Sequence, residues 1–209
     1  MKERILVTGG TGYIGSHTVV ELQNSGYDVV IVDNLSNSSA DVVDNIEKVS
    51  GIRPAFEKLD CLDLEGMDKL FTKYPGIKGI IHFAASKAVG ESVQKPLLYY
   101  RNNLVSLINL LELMPKHGVE GIIFSSSCTV YGQPDVLPVT EEAPIKKAES
   151  PYGNTKQINE EIIRDTVASG SPINAIMLRY FNPIGAHPTA LIGELPNGCL
   201  LYTSPSPRD

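Results

Sequence analysis

The sequence predicts a doubly wound parallel α/β sheet, and three patterns support this prediction. Six short apolar segments alternate along the chain with segments of helical periodicity. The apolar segments lack the polar–apolar alternation of half-exposed strands, which is typical of strands covered on both faces. A glycine-rich turn joins the first apolar segment to the first helical one. Strands and helices that alternate at this spacing form a parallel sheet with helices on both sides.

The predicted elements follow these segments in order. Strands are expected from Arg4 to Thr8, Asp28 to Asp33, Ala55 to Leu59, Gly79 to Ala85, Gly121 to Ser127 and Ile173 to Phe181. Helices are expected from the glycine turn through Glu21, and at 41–49, 66–74, 96–117 and 151–168. Pro115 should end or kink the fourth helix, because proline cannot donate the helical hydrogen bond. Ligands of such sheets bind at the carboxyl ends of the strands, so the residues that follow each strand are the candidates for a site.

Composition and charge exclude several classes of protein. Of the 209 residues, 42% are hydrophobic and 20% are charged, as in ordinary globular domains. The formal net charge is −6 and no basic cluster is longer than Lys146-Lys147, so no nucleic-acid partner is expected. No apolar run reaches the roughly 20 residues of a membrane helix and none forms a signal peptide, which predicts a cytoplasmic protein without a membrane partner. No metal is expected, because metal-ligand spacing is missing from His17, His82, His117 and His187.

The glycine-rich turn predicts a phosphate site. Gly9, Gly12 and Gly15 follow the first predicted strand and open the first helix with the spacing GxxGxxG. Glycine permits the tight turn and a close approach of the backbone to a pyrophosphate. The free N–H groups and the dipole at the start of the helix then attract the phosphates. The strand before and the helix after are the context that a dinucleotide site requires.

Asp33 predicts which dinucleotide binds. This residue ends the second predicted strand, 18 residues after Gly15. A carboxylate at this place can accept hydrogen bonds from the ribose hydroxyls of the adenosine, and it would repel a 2′-phosphate. The loop that follows, 34–39, contains no Lys or Arg that could neutralise such a phosphate. The expected cofactor is therefore NAD and not NADP.

Tyr152, Lys156 and Ser127 predict proton transfer coupled to hydride transfer. Tyr152 and Lys156 are four residues apart on a predicted helix and share one face. A tyrosine with its ordinary pKa near 10 is a poor base at neutral pH, but a neighbouring lysine and a cationic nicotinamide should lower that pKa. The phenolate could then accept a proton from a substrate hydroxyl as hydride leaves its carbon. Ser127 ends the fifth predicted strand and could bind the same hydroxyl.

Longer stretches around these motifs resemble a known superfamily. They read TGGTGYIGSH, VDNLSNSS, IHFAASKAVGESVQKPLLYYRNN, FSSSCTVYG, SPYGNTK and LRYFNPIGAHP. Together they resemble the extended short-chain dehydrogenase/reductases, and among these they are most similar to the UDP-glucose 4-epimerase family. The resemblance extends from Ile5 to about Gly198.

The resemblance implies an activity and a set of site residues. It implies a tightly bound NAD and the interconversion of UDP-glucose and UDP-galactose through a 4-keto sugar. Tyr152 would take the proton of the sugar 4-hydroxyl, Lys156 would bind the nicotinamide ribose, and Ser127 would hydrogen-bond the reacting hydroxyl. Substrate contacts are expected from Ser127, Tyr152 and Asn182. Cofactor contacts are expected from Gly9, Gly12, Tyr13, Ile14, Gly15, Asp33, Asn34, Leu35, Ser36, Asn37, Ser38, Asp60, Cys61, Phe83, Ala84, Ala85, Ser86, Lys87, Asn102, Tyr152, Lys156 and Phe181.

Alternatives to this function stay open at the level of sequence. One is an epimerase of another UDP-sugar, because the residues that size the sugar pocket in this family lie mostly in a C-terminal half that the sequence lacks. A second is a nucleotide-sugar 4,6-dehydratase, which needs an acidic pair where this sequence has Cys128-Thr129. A third is an NAD-binding fragment without activity. That is the expectation for these 209 residues alone, because a second domain closes over the nucleotide in this family.

Two expectations concern assembly and the end of the chain. The family's homodimers often use the equivalent of the helix at 96–117, whose apolar side chains could equally pack in the core. One NAD-binding domain is expected at 1–198, including the start of a substrate region. Composition changes abruptly after Gly198, and the remaining CLLYTSPSPRD resembles one reading frame of a transposase adapter used in sequencing libraries. Residues 199–209 are therefore expected to be a non-native tail, and the substrate domain to be missing.

Overall fold

The fold is a six-stranded parallel sheet with helices on both sides, as given by a computed structural model that describes residues 2–194. The strands are β1 (Arg4–Thr8), β2 (Asp28–Asp33), β3 (Ala55–Lys58), β4 (Ile77–His82), β5 (Gly121–Ser127) and β6 (Asn174–Tyr180). They lie side by side in the order β3-β2-β1-β4-β5-β6. All neighbours pair in parallel. The predicted doubly wound sheet is confirmed, whereas the expected tail at 199–209 lies outside the described residues.

Six helices connect the strands, and five of them match the predicted helical segments. They are α1 (Tyr13–Asn24), α2 (Asp41–Ser50), α3 (Leu64–Lys73), α4 (Val89–Gln94), α5 (Pro96–Lys116) and α6 (Pro151–Ala168). The short α4 was not predicted, because six residues are too few to show a helical period. Pro115 lies in the last turn of α5, which ends one residue later, as expected. Among the residues described, no helix is both long enough and apolar enough to cross a lipid bilayer.

Local side-chain hydrogen bonds fix where the functional helices begin. Asp63 precedes α3 and accepts a hydrogen bond from the N–H of Gly66 at 2.9 Å. Ser150 precedes α6 and accepts one from the N–H of Gly153 at 3.1 Å, and Pro151 occupies the first helical position. Both arrangements satisfy N–H groups that a helix end leaves unpaired. The start of α6, which carries Tyr152 and Lys156, is therefore set by its own sequence.

β4 ends earlier than the sequence predicts. The expected strand ran to Ala85, but the structure ends it at His82. After His82 the chain is hydrogen-bonded to a side chain instead of to a neighbouring strand. Asn103 accepts a hydrogen bond from the N–H of Ser86 at 2.8 Å and donates one to the carbonyl of Ser86 at 3.0 Å. Phe83 to Lys87 consequently form a loop at the carboxyl edge of the sheet.

Alternate residues of the central strands fill two separate cores. Leu6, Val30, Ile80, Ile122 and Phe124 point to one face, where they pack with side chains of α3, α5 and α6. The opposite face is packed with side chains of α1 and α2, and its strand residues are Val7, Val29, Ile31 and Ile81. Burial on both faces explains why these strands are apolar throughout their length.

β6 departs from the expectation that every strand is covered on both faces. Its Ala175 and Met177 pack against the core of α5 and α6, but Ile176 and Leu178, on the other face, are 57% and 41% exposed. On this second face, the side chains of α1 and α2 cover β1 and β2. Beside them lies an apolar groove of about 820 Å³, which is lined by Ile81, Ile123 and Ile176 among others. Among residues 2–194, no helix covers this end of the second face.

This asymmetry predicts different effects of truncating two neighbouring isoleucines. Ile122→Ala should lower the free energy of unfolding by about 2–5 kcal/mol, because it opens a cavity in the covered core. Ile176→Ala should lower it by less than about 1 kcal/mol, because the side chain is mostly in solvent. Urea unfolding of the two variants measures both values. Equal losses would mean that Ile176 is covered in solution.

Candidate functional site

The candidate site lies where the strand order reverses, between the carboxyl ends of β1 and β4. Thr8, the last residue of β1, places its Oγ1 2.7 Å from Nδ1 of His82, the last residue of β4. His82 is fully buried, and burial lowers its pKa to about 3, with Lys156 adding to the effect. The imidazole is therefore neutral at physiological pH, and its hydrogen bond to Thr8 ties the two strand ends together.

Two glycines of the turn after β1 are required by close backbone contacts. Gly9 has φ +69°, and a Cβ at this position would lie 2.7 Å from the nitrogen of Ala84, in the loop after β4. A Cβ at Gly15 would lie 2.2 Å from the carbonyl oxygen of Gly9. Gly12 caps α1 without any side-chain hydrogen bond, and the first turn of the helix has no acidic residue. The N–H groups of Gly9 and Gly12 donate to the carbonyls of Val32 and Gly9, so an anion would meet the N–H groups of Tyr13, Ile14 and Gly15 in the first turn of α1. The cofactor role of these five residues stays a prediction.

Asp33 connects the glycine turn to the loop after β2. Its Oδ2 accepts a hydrogen bond from the N–H of Thr11 at 3.3 Å. Its Oδ1 accepts hydrogen bonds from the N–H of Leu35 at 2.9 Å and from Oγ of Ser38 at 3.2 Å. These contacts orient the carboxylate while leaving lone pairs for further donors, such as the hydroxyls of a ribose.

The loops after β2 and β3 are also joined to each other. Nδ2 of Asn34 donates to a carboxylate oxygen of Asp60 at 2.9 Å, and Oδ1 of Asn34 accepts from the N–H of Ser36 at 2.9 Å. Asn37 is exposed beside them. Cys61 is buried, and burial raises the pKa of its thiol to about 12. The thiol is therefore protonated at neutral pH, and the side chain packs in the core.

The loop after β4 holds the predicted residues Phe83, Ala84, Ala85, Ser86 and Lys87. Asn102 donates from Nδ2 to Oγ of Ser86 at 3.2 Å. The residue that fixes this loop, however, is its neighbour Asn103, which also donates to Oγ1 of Thr155 on α6 at 3.1 Å. The sequence shows two adjacent asparagines and gives no local signal for which of them points inward, so Asn103 was missed.

Ser127, Tyr152 and Lys156 come together at the end of β5. Oγ of Ser127 accepts hydrogen bonds from the N–H and from Oγ1 of Thr129, at 3.2 Å and 3.0 Å. Its own hydroxyl proton is consequently free to be donated, and Ser127 lies near enough to the phenol of Tyr152 to lower the pKa of that phenol. Lys156 is buried and donates from Nζ to the carbonyl of Ser125 at 2.7 Å. Its Nζ lies 5.8 Å from the ring centre of Tyr152.

The pKa of Tyr152 is expected to be lowered by Lys156 together with a cationic nicotinamide, and in the structure Lys156 is not among the causes that act on it. Burial raises the pKa of Tyr152, and only the hydroxyl of Ser127 acts in the opposite direction. The Lys156 ammonium is directed at the Ser125 carbonyl and lies over the ring of Phe124, 4.8 Å from its centre. The contribution expected from a cationic nicotinamide stays a prediction.

The end of β6 also lies in this region, and the roles expected for Phe181 and Asn182 stay predictions. Phe181 is 57% exposed, and Asn182 is exposed next to it. Tyr180, which the sequence analysis missed, is partly buried and has its ring 6.3 Å from that of Phe83. The segment that follows lies across the glycine turn: Tyr13 donates its hydroxyl to the carbonyl of Gly185, and Lys87 forms an ion pair with Glu194 at 3.3 Å.

Comparisons with known proteins assign the chain to a family. The model of the NAD dependent epimerase/dehydratase family matches residues 5–198, which include the glycine turn, Ser127, Tyr152 and Lys156. The chain belongs to this family. The matched residues thus include the glycine turn, the acidic residue that ends β2 and the Ser–Tyr–Lys group at one edge of the sheet.

Individual members of the NAD dependent epimerase/dehydratase family are similar to this chain at about half of all positions. The UDP-glucose 4-epimerase of Dictyostelium discoideum is 50% identical over 206 residues, covering 97% of this chain and 59% of its own. That of Bacillus subtilis is 53% identical over 194 residues, covering 93% and 57%. The crystal structure of the Bifidobacterium longum enzyme with NAD+ and UDP superposes with a TM-score of 0.91 at 48% identity, covering 93% and 58%. This chain thus spans somewhat more than half the length of these relatives.

The burial of Lys156 predicts an unusual effect of its removal. Burial lowers the pKa of Lys156 to about 8. An unfolded lysine has a pKa near 10.4, so between about pH 8 and 10.4 the unfolded chain binds more protons and stability rises with pH. Lys156→Met should therefore raise the free energy of unfolding at pH 7 by about 1–3 kcal/mol, and the difference from the wild type should shrink by pH 10. Urea unfolding at the two pH values measures it.

Lys69→Met is the matched control for this prediction. Lys69 is an exposed lysine of α3 that pairs with Glu65. Its removal should leave the stability almost unchanged at either pH, because exposed ion pairs contribute little. A Lys156→Met variant less stable than the wild type at pH 7 would show that the hydrogen bond to Ser125 outweighs the burial of the charge.

Proposed function

We propose that this chain carries the NAD-binding region and the proton-transferring residues of an enzyme that interconverts UDP-glucose and UDP-galactose. The observation that carries the proposal is the meeting of Ser127, Tyr152 and Lys156 at the carboxyl edge of the same sheet as the glycine turn and Asp33. The relatives described above, which bear the name of this activity at about 50% identity, support the choice of substrate.

The residues around the strand reversal fit a dinucleotide. The first turn of α1 would hold the pyrophosphate, and Asp33 would hold the adenosine ribose, with the loops of Asn34 and Asp60 beside the adenine. The loop after β4, Lys156 and the end of β6 would flank the nicotinamide. When bound, NAD supplies a hydride acceptor that takes a hydride from C4 of the sugar and returns it to the opposite face. Phe181 and Asn182 remain proposed contacts of cofactor and substrate.

The chain's own residues would manage the proton of the sugar 4-hydroxyl. Tyr152 would accept this proton as C4 is oxidised and would give it back when the sugar is reduced. Ser127 would donate its free hydroxyl proton to the reacting oxygen, since its lone pairs are already engaged by Thr129. Lys156 would bind the nicotinamide ribose, and its ammonium would stabilise negative charge that develops on Tyr152.

The proposed cofactor is tested by its selective effect on stability. NAD at 100 times its dissociation constant should add about 2.7 kcal/mol to the stability of the folded chain, and NADP at the same concentration should add much less. The reason is that a 2′-phosphate would lie against Asp33 without a neighbouring Lys or Arg. Thermal unfolding of the 209-residue chain measures both increments.

Two variants of β2 test whether stabilisation by NAD depends on the carboxylate of Asp33. Asp33→Ala should reduce the NAD increment, because it removes the acceptor for the ribose hydroxyls. Asp28→Ala, at the other end of the same strand, removes only the ion pair with Arg4 and should leave the NAD increment unchanged. Equal stabilisation by NAD and NADP in the wild type would contradict the proposed cofactor.

Turnover tests the proposed base. In a coupled assay that detects UDP-glucose formed from UDP-galactose, Tyr152→Phe should lower kcat by at least about 100-fold, because it removes the group that moves the proton. Tyr27→Phe, at the opposite end of the sheet, should not. Full activity in Tyr152→Phe would exclude the proposed role. Stabilisation by NAD with no turnover by the wild-type chain would favour the alternative of an NAD-binding fragment without catalysis.

The choice among substrates follows from the same assay. Turnover of another UDP-sugar at a higher kcat/KM than UDP-galactose would favour the epimerase of a different sugar. A dehydratase is disfavoured because η1 (Cys128–Tyr131), the 3-10 turn that directly follows Ser127, contains no carboxylate to act as general acid.

A further inference from the structure

A buried carboxylate with two arginine partners and one serine partner lies behind the proposed site. We call it the Glu160 cluster and define it by Ser126, Glu160, Arg164 and Arg179. The carboxylate of Glu160, on α6, is 1% exposed. It accepts hydrogen bonds from Oγ of Ser126 at 2.6 Å, from Nη2 of Arg164 at 2.6 Å, and from Nε and Nη2 of Arg179 at 2.9 and 2.8 Å.

The cluster joins the three elements that carry the proposed site. Ser126 belongs to β5, Glu160 to α6 and Arg179 to β6. These three members adjoin residues near the proposed reaction centre. Ser126 precedes Ser127, Glu160 lies one helical turn after Lys156, and Arg179 precedes Tyr180. The guanidinium of Arg179 also lies over the ring of Tyr131, 4.7 Å from its centre. The chain is therefore held on both sides of Ser127, at Ser126 and at the end of the turn that follows it.

The electrostatics of the cluster show that the carboxylate is charged. Burial by itself raises the pKa of Glu160, but hydrogen bonds from Arg179 and Ser126 outweigh it, and the net pKa lies below the ordinary value. The pKa of Arg179 is raised above its ordinary value, chiefly by its hydrogen bonds to Glu160. Buried ion pairs of this kind contribute little net stability relative to apolar residues, because desolvation opposes the attraction. What they provide is a fixed geometry, since a two-pronged guanidinium–carboxylate contact tolerates little movement.

Two side chains on separate elements stay close together only if the elements do not move relative to each other. Ser127 comes from β5 and Tyr152 from α6, so any sliding of the helix along the strand changes their distance. The bond from Lys156 to the Ser125 carbonyl is another contact between these elements, but Lys156 is also needed at the cofactor. We infer that Glu160 is a positioning residue, which holds β5, α6 and β6 in register so that the hydroxyl of Ser127 stays close to the phenol of Tyr152. This inference rests on the proposed function of Ser127 and Tyr152.

The test uses a variant that changes geometry without changing charge. Glu160→Asp keeps the carboxylate but shortens its reach, so that it cannot contact Ser126 and Arg179 together. The groups that affect the titration of Tyr152, which are Ser127 and Cys128, keep their chemical identity. The measurement is the pKa of Tyr152 in the full 209-residue chain saturated with NAD, read from the ¹³Cζ tyrosine signal. Loss of that signal in Tyr152→Phe assigns it.

Three variants make the result decisive. Ser127→Ala removes the hydroxyl that lowers the pKa of Tyr152, so it should raise that pKa by a clearly measurable amount. Glu160→Asp should raise it in the same direction by a measurable part of that shift. Glu57→Asp is the matched control, because Glu57 also accepts two side-chain hydrogen bonds, from Lys73 and Tyr74, but lies on β3. It should leave the pKa of Tyr152 unchanged.

The outcomes separate this inference from the proposed function. A raised pKa in Ser127→Ala with no change in Glu160→Asp would overturn the positioning role and leave the site intact. No change in Ser127→Ala would reject the pairing of Ser127 with Tyr152, and the inference with it. Arg179→Lys, which also keeps its charge and loses the two-pronged contact, gives the same test where Glu160→Asp does not fold.

Discussion

The contact between the glycine turn and the loop after β4 is the constraint on which the rest of the site depends. Gly9 comes so close to Ala84 that a Cβ would not fit, and its N–H donates to the carbonyl of Val32 at 2.8 Å. Phe83 donates its own N–H to the carbonyl of Thr8 at 3.0 Å. The ends of β1, β2 and β4 are thereby fixed to one another. Because strand order reverses here, the crevice opens beside this contact, and the loops after β1, β2 and β4 start from it.

Several polar and charged side chains are buried on the face of the sheet that α5 and α6 cover. Among residues 2–194, no carboxylate pairs with the buried Lys156, and His82 is buried in its neutral form. The burial of the Lys156 charge opposes stability at neutral pH, and both side chains lie next to residues proposed to move a proton or bind a cofactor. Glu160 and Asn103 are buried as well, but their hydrogen bonds tie α6 to β5, β6 and the loop after β4. The side of the sheet under α6 thus trades stability for defined geometry.

Local sequence signals account for the parts of the fold and site that could be predicted. Continuous apolar runs indicated six strands, glycine spacing indicated the turn after β1, and the place of Asp33 at a strand end indicated its partners. Longer-range pairings had no such signal. Nothing near Glu160 shows that it meets Arg179, 19 residues later, or that Asn103 and not only Asn102 holds Ser86. β6 looked like its neighbours because Ile176 and Leu178 are apolar, although the described helices leave them exposed.

A crystal structure of the 209-residue chain grown with NAD and UDP tests the central claim most directly, because it shows whether one site unites the dinucleotide with the Ser–Tyr–Lys group. The account predicts the pyrophosphate on the first turn of α1, the adenosine ribose hydroxyls on the carboxylate of Asp33, and the nicotinamide beside Tyr152 and Lys156. A dinucleotide bound away from Asp33, or a nicotinamide out of reach of Tyr152, would contradict it.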